Sequence, residues 1–593
     1  MANDDILTRL KRCGSARGVY DKIKVKMKQK RLLKAHGTAS FPTEKEREAQ
    51  GATVFSCMPK ISVITPLYNT PEEFLYEMIM SVMGQTYKNF ELCLADGSDP
   101  AHAYVGRVCR TLAEKDSRIR YAKLEVNEGI SGNTNKCLEM ACGDYIGLLD
   151  HDDVLHPCAL FEYVKAINDR GADFLYCDEA TFNRGDINHM LVAHFKPDFA
   201  IDNLRSNNYI CHFTCFKRSL LEGMELFRSE FDGSQDHDMV LRLTAKAEHI
   251  VHVPKILYYW RSHSGSVAAD LSVKSYAVDA AYRAVSDHLR VSGLEFEEVT
   301  STKEVLTHYR IKYKIKGDPL VSILIPNKDH VEDLKRCLDS ILERTTYGNF
   351  EILVAENNSQ TPDIFKYYEE VQKDSRIRVV TFKGDFNYSA VNNFAANEAQ
   401  GDFLLLLNND CEVISPDWIQ EMLMFAQRDD VGAVGAKLRY PDGAIQHAGV
   451  VLGLGPDRVA GHIFYHMPKD AWGYMGRMTY AQNISAVTGA CLMVSKGHFR
   501  EVGGLDETFK VGLNDVDFCL KLRDKGYVNV WTPFAQLTHY ESKSRGFDVT
   551  PEKAKRFATE AAAFREKWGK VIEAGDPYYN PNLSLDFQDC RLG

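Results

Sequence analysis

Two short runs of apolar residues, "ISVITPLYN" (residues 61–69) and "VSILIPNKD" (residues 321–329), are β-branched and bounded by proline and polar residues. That is the pattern of a strand buried on both faces. Each is followed by apolar positions at helical spacing, in "EFLYEMIMSVMGQTYKNFEL" and "EDLKRCLDSILERTTYGNFEI". A second apolar run follows in each stretch, "ELCLADGS" and "EILVAENNS", and later a third, "GDYIGLLDHDD" and "GDFLLLLNND". Strands alternating with helices predict a parallel sheet with right-handed crossovers, built twice.

The two stretches also repeat each other in wording. "TYKNFEL" returns as "TYGNFEI", and "KDSRIR" stands at residues 115–120 and again at 373–378. The "GDY" and "GDF" pair keeps the same offset as "KDSRIR", so the spacing between them is conserved and the chain reads as an internal duplication. The expected division is a segment 1–59, a first α/β domain 60–298, a linker 299–318, a second α/β domain 319–575 and a tail 576–593.

At 593 residues the chain exceeds a single core, and an apolar fraction of 45% is that of a packed globular protein. A net charge of −10 excludes a general nucleic-acid binder. The fifteen cysteines are scattered without CxxC spacing, which points to a reducing, cytoplasmic compartment. "CHFTC" (Cys211, Cys215) is the nearest approach to a metal pattern in the sequence, and reads rather as two buried thiols near a strand. No signal peptide or membrane span is expected. One segment departs from the acidic balance: residues 11–34 hold ten Lys or Arg and one acid, Asp21. It reads either as a helix lying on an anionic lipid surface or as a solvated basic tail.

In "DYIGLLDHDDVLHP" an apolar strand runs into Asp150, Asp152 and Asp153. Clustered carboxylates at a strand end repel one another unless a cation neutralises them, and oxygen ligands suit Mg²⁺ or Mn²⁺. One such acid alone is explained as a helix cap before Pro157. Asp96 ends an earlier strand, where it either accepts a hydrogen bond from a nucleotide or forms an ordinary turn. Asp236 and Asp238 open a helical pattern as a general base or as caps. His263 follows in "YYWRSHSGS". The second copy sets Asn408 against Asp150, Asp410 against Asp152 and Cys411 against Asp153, and supplies Asp515, Asp517 and His539 downstream.

These motifs, with "PLYN", "DGS", "QDHDMVLRL" and "WRSHSGS" in the first copy and "ENNS", "LNND", "TGACLMV", "GGLDE", "NDVDFCLKLRDKGY" and "THYES" in the second, resemble the inverting glycosyltransferases of family 2. The resemblance covers about residues 60–290 and 319–570 and implies two tandem GT-A domains (α/β, Rossmann-like, mostly parallel sheet). It implies that Asp96 contacts the nucleotide base, Asp150 lies near the ribose, and Pro66 and Asn135 line the donor site. It further implies that Asp152 holds a Mn²⁺ or Mg²⁺ ion with Asp153 and His263 assisting, and that Asp236 is the catalytic base. In the second copy Pro326, Asn357 and Asn408 take the donor-site places, Asp410 and His539 the metal places, and Asp515 that of the base. The implied donors are nucleotide-diphosphate sugars: uridine-diphosphate sugars for "DGS" and "DHDD", deoxythymidine-diphosphate rhamnose or a similar sugar for "ENNS" and "LNND". The implied acceptor is a growing, lipid-linked cell-surface saccharide at the inner face of the bacterial plasma membrane. Three other readings stay open: only one domain catalytic, a carbohydrate-binding scaffold of inactive domains, and a nucleotidyltransferase. The scaffold is expected to lose the base positions. The nucleotidyltransferase is expected to carry a basic Gly-rich loop where "PLYNTPEE" and "PNKDHVED" are acidic.

Overall fold

The computed structural model describes residues 16–183, 185–263, 275–541 and 550–593. They form two compact units. Unit 1 holds the described residues through Lys196, with Ile210–Ala281 and Arg591–Gly593; unit 2 holds Pro197–Tyr209 and Tyr282–Cys590.

Unit 1 is built on the strands β1 (Ile61–Leu67), β2 (Phe90–Asp96), β3 (Ile119–Lys123), β4 (Tyr145–Leu148), β5 (Val154–Leu155), β6 (Phe174–Asn183), β7 (Asp186–His194), β8 (Cys215–Lys217) and β9 (Ile250–Arg261). They form one sheet in the order β3-β2-β1-β4-β8-β6-β9-β5, with β7 paired to β6. The β3-β2-β1-β4 half is parallel. Beyond it β8 runs antiparallel to both β4 and β6, while β6 and β9 are parallel. Every residue of β1 and β2 is buried, as continuous apolar runs demand.

Unit 2 opens with the hairpin β10 (Phe296–Ser301) and β11 (Tyr309–Tyr313). Its main strands are β12 (Val321–Asn327), β13 (Phe350–Glu356), β14 (Ile377–Thr381), β15 (Phe403–Leu407), β16 (Cys411–Val413), β17 (Val431–Arg439), β18 (Ile445–His447), β19 (Val450–Leu452), β20 (Ala460–His462), β21 (Gln482–Ile484), β22 (Cys491–Ser495) and β23 (Val528–His539). The large sheet reads β14-β13-β12-β15-β22-β17-β23-β16, which repeats the order of unit 1 place for place. Added to it are β18 on β17 and β21 on β23, with β19 and β20 as a separate pair.

The repeated words have a shared structural cause. In both units the "KDSRIR" aspartate accepts from the backbone and guanidinium of the arginine two residues on, Asp116 from Arg118 and Asp374 from Arg376. Those arginines lie over Phe90 and Phe350 of the "NFE" repeat, 4.5 and 5.2 Å from the ring centres. The next residue of that repeat is a buried glutamate. Glu91 accepts from Ser62 at 2.6 Å and pairs with Lys60 at 2.7 Å; Glu351 accepts from Ser322 at 2.7 Å and pairs with Arg378 at 2.9 Å. The repeated glycine follows from the same latch. A Cβ at Gly143 would sit 2.6 Å from the Ser62 hydroxyl oxygen, and one at Gly401 2.6 Å from that of Ser322.

Four stretches differ from the sequence-based division, the first being residues 282–298, expected in the first domain but part of unit 2. The expected linker 299–318 contains β11, whose Tyr309, Ile311 and Tyr313 alternate inward and are buried in unit 2. The expected tail is packed as well: buried Asp576 accepts from the backbone N–H of Leu452 and of Tyr578. Pro197–Tyr209 belongs to unit 2, where buried Asp202 pairs with Arg428 at 2.5 Å.

Of the basic segment, residues 11–15 lie outside the described residues, and Ala16–Lys34 is a helix. Lys24, Lys26, Lys28, Lys30, Arg31 and Lys34 are exposed, as is Met27 at 67%. Gln29 ties the helix down by exchanging hydrogen bonds with the backbone of Leu592. No described helix is long and apolar enough to cross a membrane.

Candidate active sites at the strand ends

In unit 1, β4 stops at Leu148 and the chain turns through the acids before β5 docks antiparallel on the end of β9. The turn sends the three carboxylates in different directions. Asp152 meets His263 Nε2 at 2.7 Å. Asp150 is exposed and lies 3.6 Å from His212 Nε2. Desolvation by the surrounding chain works against its charge, but His212 holds the Asp150 carboxyl below its ordinary value. Asp153 points inward. Its two oxygens accept from the Tyr258 hydroxyl at 2.5 Å and the Arg261 backbone N–H at 2.7 Å. Burial, then the charges of Asp152 and Asp150, push this carboxyl well above the usual range. Asp153 thus fastens the acidic turn to β9, while its ligand atom stays within 4.8 Å of those of Asp150 and His212.

Two residues to which sequence spacing gives no role stand at this site. His212 stacks on Tyr258 with ring centres 4.5 Å apart, and reaches Glu179 at 3.2 Å with its other nitrogen. Glu179 is buried, but Lys196 at 2.9 Å, together with His194 and His212, holds its carboxyl well below normal. Cys211 directs its thiol at Asp236, 3.6 Å away, and lies 3.4 Å from His212. "CHFTC" thus links the acidic turn to the expected base. No sequence pattern signals this, because the contact depends on how the chain returns to the sheet at Ile210.

Asp236 is the second residue of the helix Gln235–Thr244 and is half-buried. Its neighbour Asp238 is buried and neutralised by Arg228 at 2.5 Å and Arg242 at 2.7 Å. Asp96 ends β2 and accepts from the Ser98 N–H and the Tyr121 hydroxyl, both at 2.8 Å. Pro66 is buried in β1 beside Ala95. Asn135 is not gathered with the acids: both ends of its amide bond the backbone of Phe227, at 2.8 and 2.9 Å. It braces the segment that leads to Asp236.

Unit 2 keeps the plan with a reduced acid set. Asp410 is buried and meets His539 Nε2 at 3.2 Å; Asn408 lies 3.3 Å from the same nitrogen. Cys411, where unit 1 has Asp153, gives its thiol to the Ala490 carbonyl. Burial pushes that thiol well above its ordinary range, so it is neutral. Asp515 is the second residue of the helix Asn514–Asp524 and accepts from the Gly489 N–H at 2.9 Å. Asn408 donates its own N–H to the adjacent Ala490 carbonyl, so one short turn joins Asp515 to the acidic strand end. Asp517 is buried and paired with Lys567 at 2.7 Å, as Asp238 is with its arginines.

The two histidines reach matching acids from different places. His539 is the last residue of β23 and pairs in register with Cys411, whereas His263 lies two residues beyond the end of β9. A second register result corrects a sequence match. Pro66 pairs with Ala95 and Leu67 with Asp96; Pro326 pairs with Ala355 and Asn327 with Glu356. The counterpart of Asp96 is therefore Glu356, which accepts from the Ser359 N–H as Asp96 does from Ser98. Asn357 is the next residue. Its amide nitrogen is fixed by the carbonyls of Phe382 and Gly384, and its buried Oδ1 has no hydrogen-bond partner among the described residues.

Asp410, Cys411 and His539 offer ligand atoms all within 4.8 Å of one another, as do Asp150, Asp153 and His212. A hard divalent cation prefers the carboxylates in each group over a neutral thiol. The residues present fit such an ion through Asp150, Asp153 and His212 in unit 1, and through Asp410 with His539 in unit 2.

The sheet order, built twice, defines a class: two tandem α/β domains of the GT-A type. The model of the Glycosyl transferase family 2 matches residues 62–223 and 322–503, more than half of the chain, and the chain belongs to that family. It is 45% identical over 542 residues to an uncharacterised protein, y4gI, of Sinorhizobium fredii strain NGR234, covering 90% of this chain and 58% of that one. It is 38% identical over 536 residues to the O-antigen biosynthesis protein RfbC of Myxococcus xanthus, covering 90% of this chain and 41% of that one. The chain thus spans about half the length of these relatives. Among solved structures, residues 1–349 of TarS from S. aureus with UDP-GlcNAc match at 19% identity and a TM-score of 0.33, over 39% of this chain and 66% of that one.

Proposed function

We propose that each unit transfers a glycosyl group, with inversion, from a nucleotide-diphosphate sugar to a hydroxyl of a growing cell-surface saccharide. The observation that carries this reading is the repeated helix start. Asp236 and Asp515 occupy the same position, half-buried, while the companion acids Asp238 and Asp517 are neutralised by cations. A half-buried carboxylate at a helix start, beside a strand-end acid group, suits a general base.

In this reading Asp236 or Asp515 takes the proton of the acceptor hydroxyl, whose oxygen attacks the anomeric carbon from the face opposite the departing diphosphate. Asp96 in unit 1, and Glu356 with Asn357 in unit 2, orient the nucleoside. The Asn357 Oδ1 is placed to accept an N–H of the base. Asp152 with His263, and Asp410 with His539, would hold Mn²⁺ or Mg²⁺, whose chemistry would be to neutralise charge on the leaving diphosphate. Uridine-diphosphate sugars for unit 1 and a deoxythymidine-diphosphate deoxysugar for unit 2 follow from the motif differences. The exposed cationic helix Ala16–Lys34 supports work at an anionic membrane surface, where a lipid-linked acceptor sits. Replacement of Asp150 by Asn408 and of Asp153 by Cys411 favours one second reading, in which unit 2 binds acceptor without catalysing.

The test supplies uridine- and deoxythymidine-diphosphate sugars with Mn²⁺ and a lipid-linked saccharide pool, and follows nucleoside diphosphate release and the anomeric configuration of the product. Release with an inverted linkage is expected. A retained configuration, or no release from any donor, contradicts the proposal.

A further inference from the structure

Unit 2 has a second polar cluster, in a connection that differs from its counterpart in unit 1. Between β6 and β8 unit 1 has the single added strand β7, whereas the matching connection of unit 2, residues 440–490, carries β18, β19, β20 and β21. This connection and the end of β23 bring together Tyr440, Gln446, Tyr465, His466 and Glu541. The Tyr440 hydroxyl donates to Glu541 Oε2 at 2.6 Å and accepts from the Tyr465 hydroxyl at 2.6 Å. Tyr440 stacks on His466 with ring centres 5.1 Å apart, and Tyr465 meets the same ring edge-on at 4.2 Å. Tyr440 and Tyr465 are half-buried and His466 is exposed, so the rings form a wall reached from solvent.

Beneath that wall Gln446 is only 4% exposed. Its amide nitrogen approaches Glu541 at 3.5 Å, and its Oε1 has no hydrogen-bond partner among the described residues. A buried amide oxygen left unsatisfied carries a desolvation penalty that a ligand hydroxyl would relieve. The cluster adjoins the proposed base. His447, next to Gln446, contacts His462 at 2.9 Å and the Thr488 N–H at 3.4 Å, and Thr488 precedes the Gly489 that binds Asp515.

Aromatic faces beside a carboxylate and an amide have the chemistry of a sugar site: ring C–H groups pack on the aromatic wall while hydroxyls take the polar atoms. We propose that this cluster is a saccharide-binding subsite of unit 2, with one sugar ring of the acceptor seated against Tyr440, Tyr465 and His466 and its hydroxyls bonded to Glu541 and Gln446. The proposal rests on the reading of unit 2 as a glycosyltransferase domain, and it names the acceptor's place there.

The test uses the full chain and reads binding, not transfer, so it stands apart from the donor assay. Saturation-transfer NMR is run on a panel of methyl glycosides of glucose, galactose, N-acetylglucosamine, mannose and rhamnose. At least one glycoside is expected to receive saturation, with the signal falling at least fivefold in Tyr465→Ala and in Glu541→Gln. Thermal melting reports whether each variant is folded. If Tyr465→Ala does not fold, the near-isosteric Glu541→Gln decides the outcome. The proposal is overturned if no glycoside binds, or if none loses its signal in a folded variant.

Discussion

Asp236 and Asp238 stand two residues apart and carry the same charge, yet the structure gives them opposite tasks. Asp238 is held in a buried pair with two arginines, whereas half-buried Asp236 receives the Cys211 thiol. Removing one partner of a buried ion pair costs about 3–5 kcal/mol, because the other charge is left behind. Asp238→Ala is therefore expected to lower the melting temperature of unit 1 sharply. Asp236→Asn should melt near wild type while its transfer falls by roughly 10²–10⁴-fold, the range of a lost general base. Calorimetry and initial rates on the two variants separate these outcomes; equal loss of stability in both would contradict the assignment.

Glu91 gives a pH prediction at the same scale. Burial opposes its charge, but Lys60, Ser62 and the Cys142 N–H hold its carboxyl at about 2, against 4.5 for an ordinary glutamate. A depressed folded-state value means that the stabilisation is complete above about pH 4.5 and is lost as pH falls toward 2. The shift is worth roughly 3 kcal/mol. Glu91→Gln should thus lie below wild type in melting temperature at pH 6, with the gap closing as pH falls toward 2. A gap independent of pH would remove the linkage.

At the scale of elements, the strands and their duplication were readable because continuous apolar runs and repeated words survive in both copies. The reason for the repeats was not readable: "KDSRIR" and "NFE" reveal the duplication, but only the structure shows that they form a latch of Arg118 on Phe90 and Arg376 on Phe350. The match of Asn357 to Asp96 failed because "ENNS" is one residue longer than "DGS", and only strand register shows that Glu356 ends β13 where Asp96 ends β2. Cys211 and His212 were not readable because their partners lie 25 residues ahead and more than 30 behind. The cationic helix was readable by composition alone, and its exposure gives it a test. The full chain is expected to sediment with phosphatidylglycerol vesicles at low salt and to leave them as salt screens the charge. The triple change Lys24→Glu, Lys28→Glu, Arg31→Glu should abolish sedimentation; unchanged binding would remove this helix from the account.

For the whole molecule, the duplication raises the question of whether both copies work. Unit 2 has one strand-end acid where unit 1 has three, yet it holds the carboxylate–imidazole pair Asp410–His539 and, in Asp515, the helix-start carboxylate that corresponds to the proposed base of unit 1. The connection between β17 and β22 has grown in unit 2, next to that base. A domain kept only for support would have no need of either feature, and a scaffold of inactive domains is expected to lose its bases. The division into units follows packing more closely than chain order: residues 197–209 join unit 2 and residues 591–593 return to unit 1, which sequence spacing alone does not reveal.

The most direct measurement is mass analysis of the saccharide made by wild type, Asp236→Asn and Asp515→Asn from one acceptor with both donors present. The account predicts that wild type adds two kinds of sugar and that each variant is deficient by at least a hundredfold in a different one. Wild-type product at the wild-type rate from either variant would contradict it.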